Sequence, residues 1–100
     1  PELETLTIFL KTWFGAFSTR AISASELITS VSGQLNDPKL IHLKKAIEDL
    51  PLSSSQQQSS KSVGRYLGHR KGRVAGGLVL EPGLKISDRQ TWRVKRVEVI

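Results

Sequence analysis

Two hydrophobic periods divide this chain at Gly72. Before that glycine, apolar residues recur every three to four positions; beyond it they alternate with polar ones. The first period belongs to helices with one buried face and the second to half-buried strands. Such an order predicts an all-helical core closed by a C-terminal β-hairpin. A short extra strand near Arg20 to Ile22 fits this expectation, whereas a sheet of four or more strands does not.

The helical part resolves into four segments. From Glu2 to Phe17 the positions Leu3, Leu6, Phe9 or Leu10, Trp13 and Phe17 form one apolar side. Glu2 and Glu4 in its first turn complement the helix dipole, and Gly15 lies near its end. Ser23-Ala24-Ser25-Glu26 has capping-box spacing, predicting a second helix over about 24–32 with Leu27, Ile28 and Val31 inward. Asp37-Pro38 reads as an N-cap followed by proline at the first helical position. The third helix should reach about Asp49 with Leu40, Ile41, Leu43 or Lys44, Ile47 and Leu50 buried. Residues 53–60 contain only Ser and Gln, a composition that cannot pack and predicts a flexible loop. A fourth helix from Ser60 should turn Val63, Tyr66, Leu67 and Arg70 to one side and Lys61, Arg65 and His69 to another, ending at Gly72. Gly76-Gly77 reads as a backbone bend entering a strand. Leu78 and Leu80 then alternate with Val79, and Trp92 and Val94 with Thr91, Arg93 and Lys95. Glu81 to Gln90 connects the two strands with more residues than a tight turn needs.

Charge is distributed as unevenly as hydrophobic period. Residues 60–100 hold ten Lys and Arg against three Asp and Glu, whereas residues 1–59 hold five against six. The whole positive excess therefore lies at one end, as expected of a chain that meets phosphate backbones or anionic surfaces. The candidate contacts are Lys61, Arg65, His69, Arg70 and Lys71 on the fourth helix, Arg73 beyond it, and Lys85 and Arg89 in the hairpin connector. A solvated helix face is the plain alternative for the basic row. Against it stand the lack of acidic partners from Lys61 to Lys71 and two helix-weakening glycines, Gly64 and Gly68. Those glycines suit close approach of a ligand backbone or of a neighbouring helix.

Catalytic and cofactor chemistry is hard to find. Gly68-His69-Arg70-Lys71-Gly72-Arg73 lacks the spacing and the Ser/Thr of a phosphate-binding loop. Two histidines without cysteine offer no metal-site spacing, and no serine has a histidine and acid patterned with it. We therefore expect no enzyme, no cofactor and no metal in these 100 residues. Trp13 and Trp92 could stack on single-stranded bases, but both lie on apolar sides and read as core; Tyr66 could present its hydroxyl at the surface. With no apolar run of membrane-spanning length and no cysteine, a single soluble domain in the cytoplasm is expected. A chain that opens on Pro1 and has no methionine fits excision from a longer protein.

Three or four helices followed by a two-stranded ribbon with a basic tip is the element order of a winged helix-turn-helix, a mainly α fold. There the last helix enters the major groove and the hairpin tip, the wing, lies on the adjacent backbone. The run Val63-Gly64-Arg65-Tyr66-Leu67, then Arg70, then Arg73 to Glu81, then Trp92-Arg93-Val94, resembles the C-terminal winged-helix segment of phage- and plasmid-type primase-helicase replication ATPases. Ser23 to Ile28 fits the second helix of that segment. Tyr66 stands where the family usually has tryptophan, and the Ser/Gln stretch is not part of its pattern. The resemblance implies an accessory DNA-binding domain whose catalytic partner lies elsewhere in the parent protein. Charge and pattern leave three functions open: binding of duplex DNA, binding of structured RNA, and self-association or docking of a replication partner through the Leu/Ile faces of the first and third helices.

Overall fold

The computed structural model describes residues 2–50 and 60–97. Helix α1 (Glu2–Phe17) buries Leu6, Phe9, Leu10 and Trp13, a clean i, i+3, i+4, i+7 stripe. Both members of the Phe9/Leu10 pair are inside, while Leu3 is 58% exposed and Phe17 only partly covered. The stripe thus begins one turn later than its sequence suggests. Phe9 lies edge-on to Trp13, with ring centroids 5.6 Å apart, and to Tyr66 at 6.2 Å. The helix ends at Phe17, as expected, and the next residue, Ser18, turns the chain with a φ of 52°.

Strand β1 (Ile22–Ser23) runs straight into helix α2 (Ala24–Ser30). The expected capping box is present: Glu26 N–H donates to Ser23 Oγ at 3.1 Å, and Ser23 N–H donates to Glu26 Oε1 at 3.2 Å. The helix stops two residues short of Ser32, capped at Val31. Helix α3 (Pro38–Glu48) starts where expected, with Lys39 N–H donating to Asp37 Oδ1 at 2.9 Å. Its buried stripe is Leu43, Ala46, Ile47 and Leu50, and this corrects the expected one, because Ile41 is 46% exposed and Leu40 only partly covered. The reason is that α3 presents its C-terminal half to the core, where small Ala46 fills the place between Leu43 and Leu50.

Helix α4 (Ser60–Arg70) buries Val63, Tyr66 and Leu67 as its period demands. Of the expected Ser/Gln loop, residues 53–59 lie outside the described residues, and Ser60 already belongs to α4. Three strands follow: β2 (Val74–Ala75), β3 (Leu78–Pro82) and β4 (Thr91–Arg96). The antiparallel sheet is ordered β1-β4-β3-β2, with Ile22 opposite Trp92 and Leu80 opposite Val94. Four strands overturn the expectation of a simple ribbon with at most one addition. Gly76 and Gly77, with φ of 60° and 78°, reverse the chain at once, so Val74 pairs with Val79 and Ala75 with Leu78. Val79 is buried as well, flanked in the sheet by Val74 and Lys95, so the alternation in β3 is imperfect.

Four helices and this sheet enclose one core: Leu78, Leu80, Trp92 and Val94 join the apolar stripes of all four helices. No described helix is long and apolar enough to cross a membrane. The β2–β3 turn lies against α1, since a Cβ on Gly76 would come 2.7 Å from Thr7 Cγ2 and 3.2 Å from Lys11 Cε. Gly76→Ala, strained in φ and in space, should therefore lower unfolding free energy by about 1–3 kcal/mol. Leu67→Ala should cost about 2–5 kcal/mol through the cavity it leaves. Urea unfolding of the two variants checks both; a parent-like midpoint for Leu67→Ala would contradict the core position of α4.

Candidate nucleic-acid interface

Because Val63, Tyr66 and Leu67 face the core, their four-residue offset turns Lys61, Arg65 and His69 outward, and all three are exposed. Among the described residues neither Lys61 nor Arg65 has an ion-pair partner, so both charges meet solvent directly. Arg70 departs from its assignment to the basic surface. It is partly buried, with its guanidinium 4.5 Å from the centre of the Tyr66 ring, and this cation–π contact holds it to the Tyr66 side. Tyr66 itself is buried, so its ring serves packing. Lys71 and Arg73 are exposed beyond the C-terminal end of α4. An 11-residue helix is about 16 Å long, so these two stand well apart from Lys61.

The structure brings Lys61 together with Arg89. Both line an open groove of about 510 Å³, with Gly64 on the α4 side, Gln90 beside Arg89, Ser23, Ala24 and Ser25 at the start of α2, and Trp92. A second hollow, of about 410 Å³, lies between Ser23, Glu26 and Thr91 and the hairpin residues Ile86, Ser87 and Arg89. Arg89 lines both hollows, while Lys85 is exposed and lines neither. Ser25 and Gln90 are groove residues the sequence did not flag: Ser25 read only as part of a helix start, and Gln90 as a loop residue. Arg20 also escaped notice. It is exposed, 3.9 Å from Glu26, in a pair that solvent screens almost completely.

The β3–β4 connector is more ordered than its length suggests. Ile86 and Arg89 exchange two backbone hydrogen bonds of 2.9 Å around Ser87 and Asp88, whose φ values of 50° and 64° are those of a type I′ turn. Below it, Gly83 N–H donates to the Thr91 carbonyl at 2.8 Å, Thr91 Oγ1 donates to the Leu84 carbonyl at 2.6 Å, and Gln90 Nε2 donates to the Gly83 carbonyl at 2.8 Å. Gln90 is thus a brace that sets the direction of its neighbour Arg89. On the open face of the hairpin, Glu81 pairs with Arg93 at 3.3 Å and Lys95 at 3.2 Å. That partly neutralises the outer sheet and leaves the uncompensated charge on α4 and the connector.

Trp13 is wholly buried, and Trp92, 7% exposed, meets the groove only along its wall, so both rings serve the core. Among the described residues no three His, Asp or Glu side chains gather as a metal site would require. No protein-family model, curated protein or solved structure matches this chain.

Neither α4 glycine is forced by packing. A Cβ on Gly64 would meet Ala24 Cβ at 3.7 Å, an ordinary contact, and one on Gly68 would meet nothing within 4 Å. Gly68→Ala should accordingly raise stability by about 1 kcal/mol, read as a higher urea midpoint. A midpoint that falls would mean that the exposed face of α4 is covered by something in the folded chain.

Proposed function

We propose that this chain is a non-catalytic module that binds duplex DNA, with Lys61, Arg65 and His69 on α4 and Arg89 on the connector as its main contacts. The observation that carries the reading is the meeting of Lys61 and Arg89 at one open groove, continued by an exposed cationic row along α4. A phosphate backbone crossing that groove would be gripped from both sides, and α4 would lie along the duplex. Support for a winged-helix architecture comes from the element order. A helix, a short strand, further helices and an antiparallel run of three strands succeed one another, and the short strand joins the last of them; β2 is an addition to that pattern. In that reading α4 is the reading helix, the β3–β4 connector is the wing, and α3 is packed against α1 away from them. The resemblance of residues 63–94 to primase-helicase tails supports a parent protein that works in DNA replication, in the cytoplasm of its host.

A second reading, docking of a protein partner or of another copy of this chain, is favoured by Leu3 and Ile8 on α1 and Ile41 on α3, which are large, apolar and exposed.

Fluorescence anisotropy with a DNA duplex and an RNA duplex of the same sequence, over several salt concentrations, separates the possibilities. For DNA binding through about six phosphates, log K should fall with log salt at a slope near roughly −5. Lys61→Ala and Arg65→Ala should each weaken binding and flatten that slope by about 1 while leaving the melting temperature unchanged. Arg70→Ala should do the opposite, lowering the melting temperature more than the affinity. Affinity insensitive to salt, or equal binding by the Lys61 and Arg65 variants, would turn the assignment to protein docking; a preference for the RNA duplex would turn it to structured RNA.

A further inference from the structure

The end of the β3–β4 connector bears two apolar side chains that the groove does not explain. Leu84 is 84% exposed and Ile86 61%, more than any other large apolar residue described. Single exposed aliphatics are common on protein surfaces, but these two flank Lys85 next to the Ser87-Asp88 turn, and Ile86, which also lines the second hollow, is bonded to Arg89 across that turn. They are also held in place. The Thr91 hydroxyl grips the Leu84 carbonyl, and the Ser87-Asp88 turn fixes Ile86. A loop that only needed to stay in solution would require neither the bracing nor the leucine.

We propose that this tip is a wedge for nucleic-acid bases, acting where a duplex ends or opens into single strands. Leu84 and Ile86 cover the face of the last base pair, and Lys85 and Arg89 hold the phosphates beside it. The inference rests on the nucleic-acid reading above and adds the form of nucleic acid preferred. Bases present an apolar face rimmed by anionic backbone, and the connector offers groups to match both, exposed Leu84 and Ile86 beside Lys85 and Arg89, with Asp88 the one acid among them. Arg89 also lines the groove with Lys61, so a strand gripped there is led toward the tip. Two aliphatic side chains are too few for the alternatives. A stable protein interface buries on the order of 1,000 Å² or more, and even a whole myristoyl chain binds membranes only marginally. An open end suits the wedge better than an intact step, because no base pair has to be unstacked to admit it.

The test compares the parent chain with the double variant Leu84→Ser/Ile86→Ser on two DNAs: a duplex closed at both ends by hairpin loops, and a fork with 2-aminopurine at its last base pair. Both proteins should bind the closed duplex with affinities within about twofold and melt at the same temperature, since the changed side chains are exposed. The parent should bind the fork about tenfold more tightly than the closed duplex and raise the 2-aminopurine fluorescence; the double variant should do neither. Leu84→Phe, which keeps an apolar tip, should retain both signals. Equal fork binding by parent and double variant, or fluorescence that stays flat with the parent, would overturn the wedge and leave the duplex reading intact so long as the closed duplex is bound. A parent that binds neither DNA would overturn both. Sedimentation with phosphatidylserine vesicles that depends on Leu84 and Ile86, with flat fluorescence, would assign the tip to a membrane surface instead.

Discussion

Ser23 is the joint on which the geometry of this protein turns. Its backbone pairs with Thr91 of the last strand, its hydroxyl caps α2, and the next residue, Ala24, faces Gly64 of α4. Two consecutive residues thus tie the sheet to both helices that border the groove, Ser23 to α2 and Ala24 to α4. The tie is local in sequence on one side and spans about two-thirds of the chain on the other. Without β1 the start of α2 would lose its tie to the last strand and keep only its packing on α4 and the core, so the two walls of the groove would lose their alignment. The buried state of Ser23 follows, since an uncapped helix start facing the sheet would leave N–H groups without water or acceptor.

Cations gather toward the C-terminal part of the chain. Helices α1 and α3 lie against each other, α1 with Glu2 and Glu4 against Lys11 and α3 with three lysines against Glu48, whereas residues 60–100 hold ten of the fifteen Lys and Arg. Where a cation on that second half meets an acid, as Arg93 and Lys95 do at Glu81, it is on the outer sheet, away from the groove. Compensation at Glu81 and its absence at Lys61 and Arg65 concentrate the positive field along α4, which a total charge of +6 would not by itself disclose.

What could be read from the chain was what neighbours in sequence decide. The bounds of α1, the capping box of α2, the Asp37-Pro38 start of α3 and the two faces of α4 each follow from signals within a turn or two, and each is present. The misses share another cause. Ile41 is exposed and Ala46 buried because of where α3 meets α1, which no periodicity within α3 specifies. Strand β2 exists because two consecutive glycines both take positive φ; a single bend would have left Val74 and Ala75 in a loop. Arg70 sits where its helical spacing puts it, beside Tyr66, so its face and not its charge decides its surroundings. Lys61 and Arg89 were both candidates, but their meeting depends on the β1–β4 pairing. So does the role of Ser25 and Gln90 in the groove.

The helix that carries the candidate contacts is also the one least able to stand alone. Gly64 and Gly68 lower its intrinsic stability by about 2 kcal/mol relative to alanines, and no acid in its first turn offsets the basic row. Eleven residues are in any case too few for a helix to persist in water without packing. Its existence therefore depends on Val63, Tyr66 and Leu67, which seat it against α2 and the Phe9 ring. That dependence makes the row a property of the folded core: Lys61, Arg65 and His69 share a side only while Leu67 is buried. In the unfolded chain the same side chains are spread along a flexible strand and share no face. In the proposed reading a polyanion that binds only the aligned row would therefore favour the folded state, and its binding would be linked to the stability of α4 through the core residues that align the row.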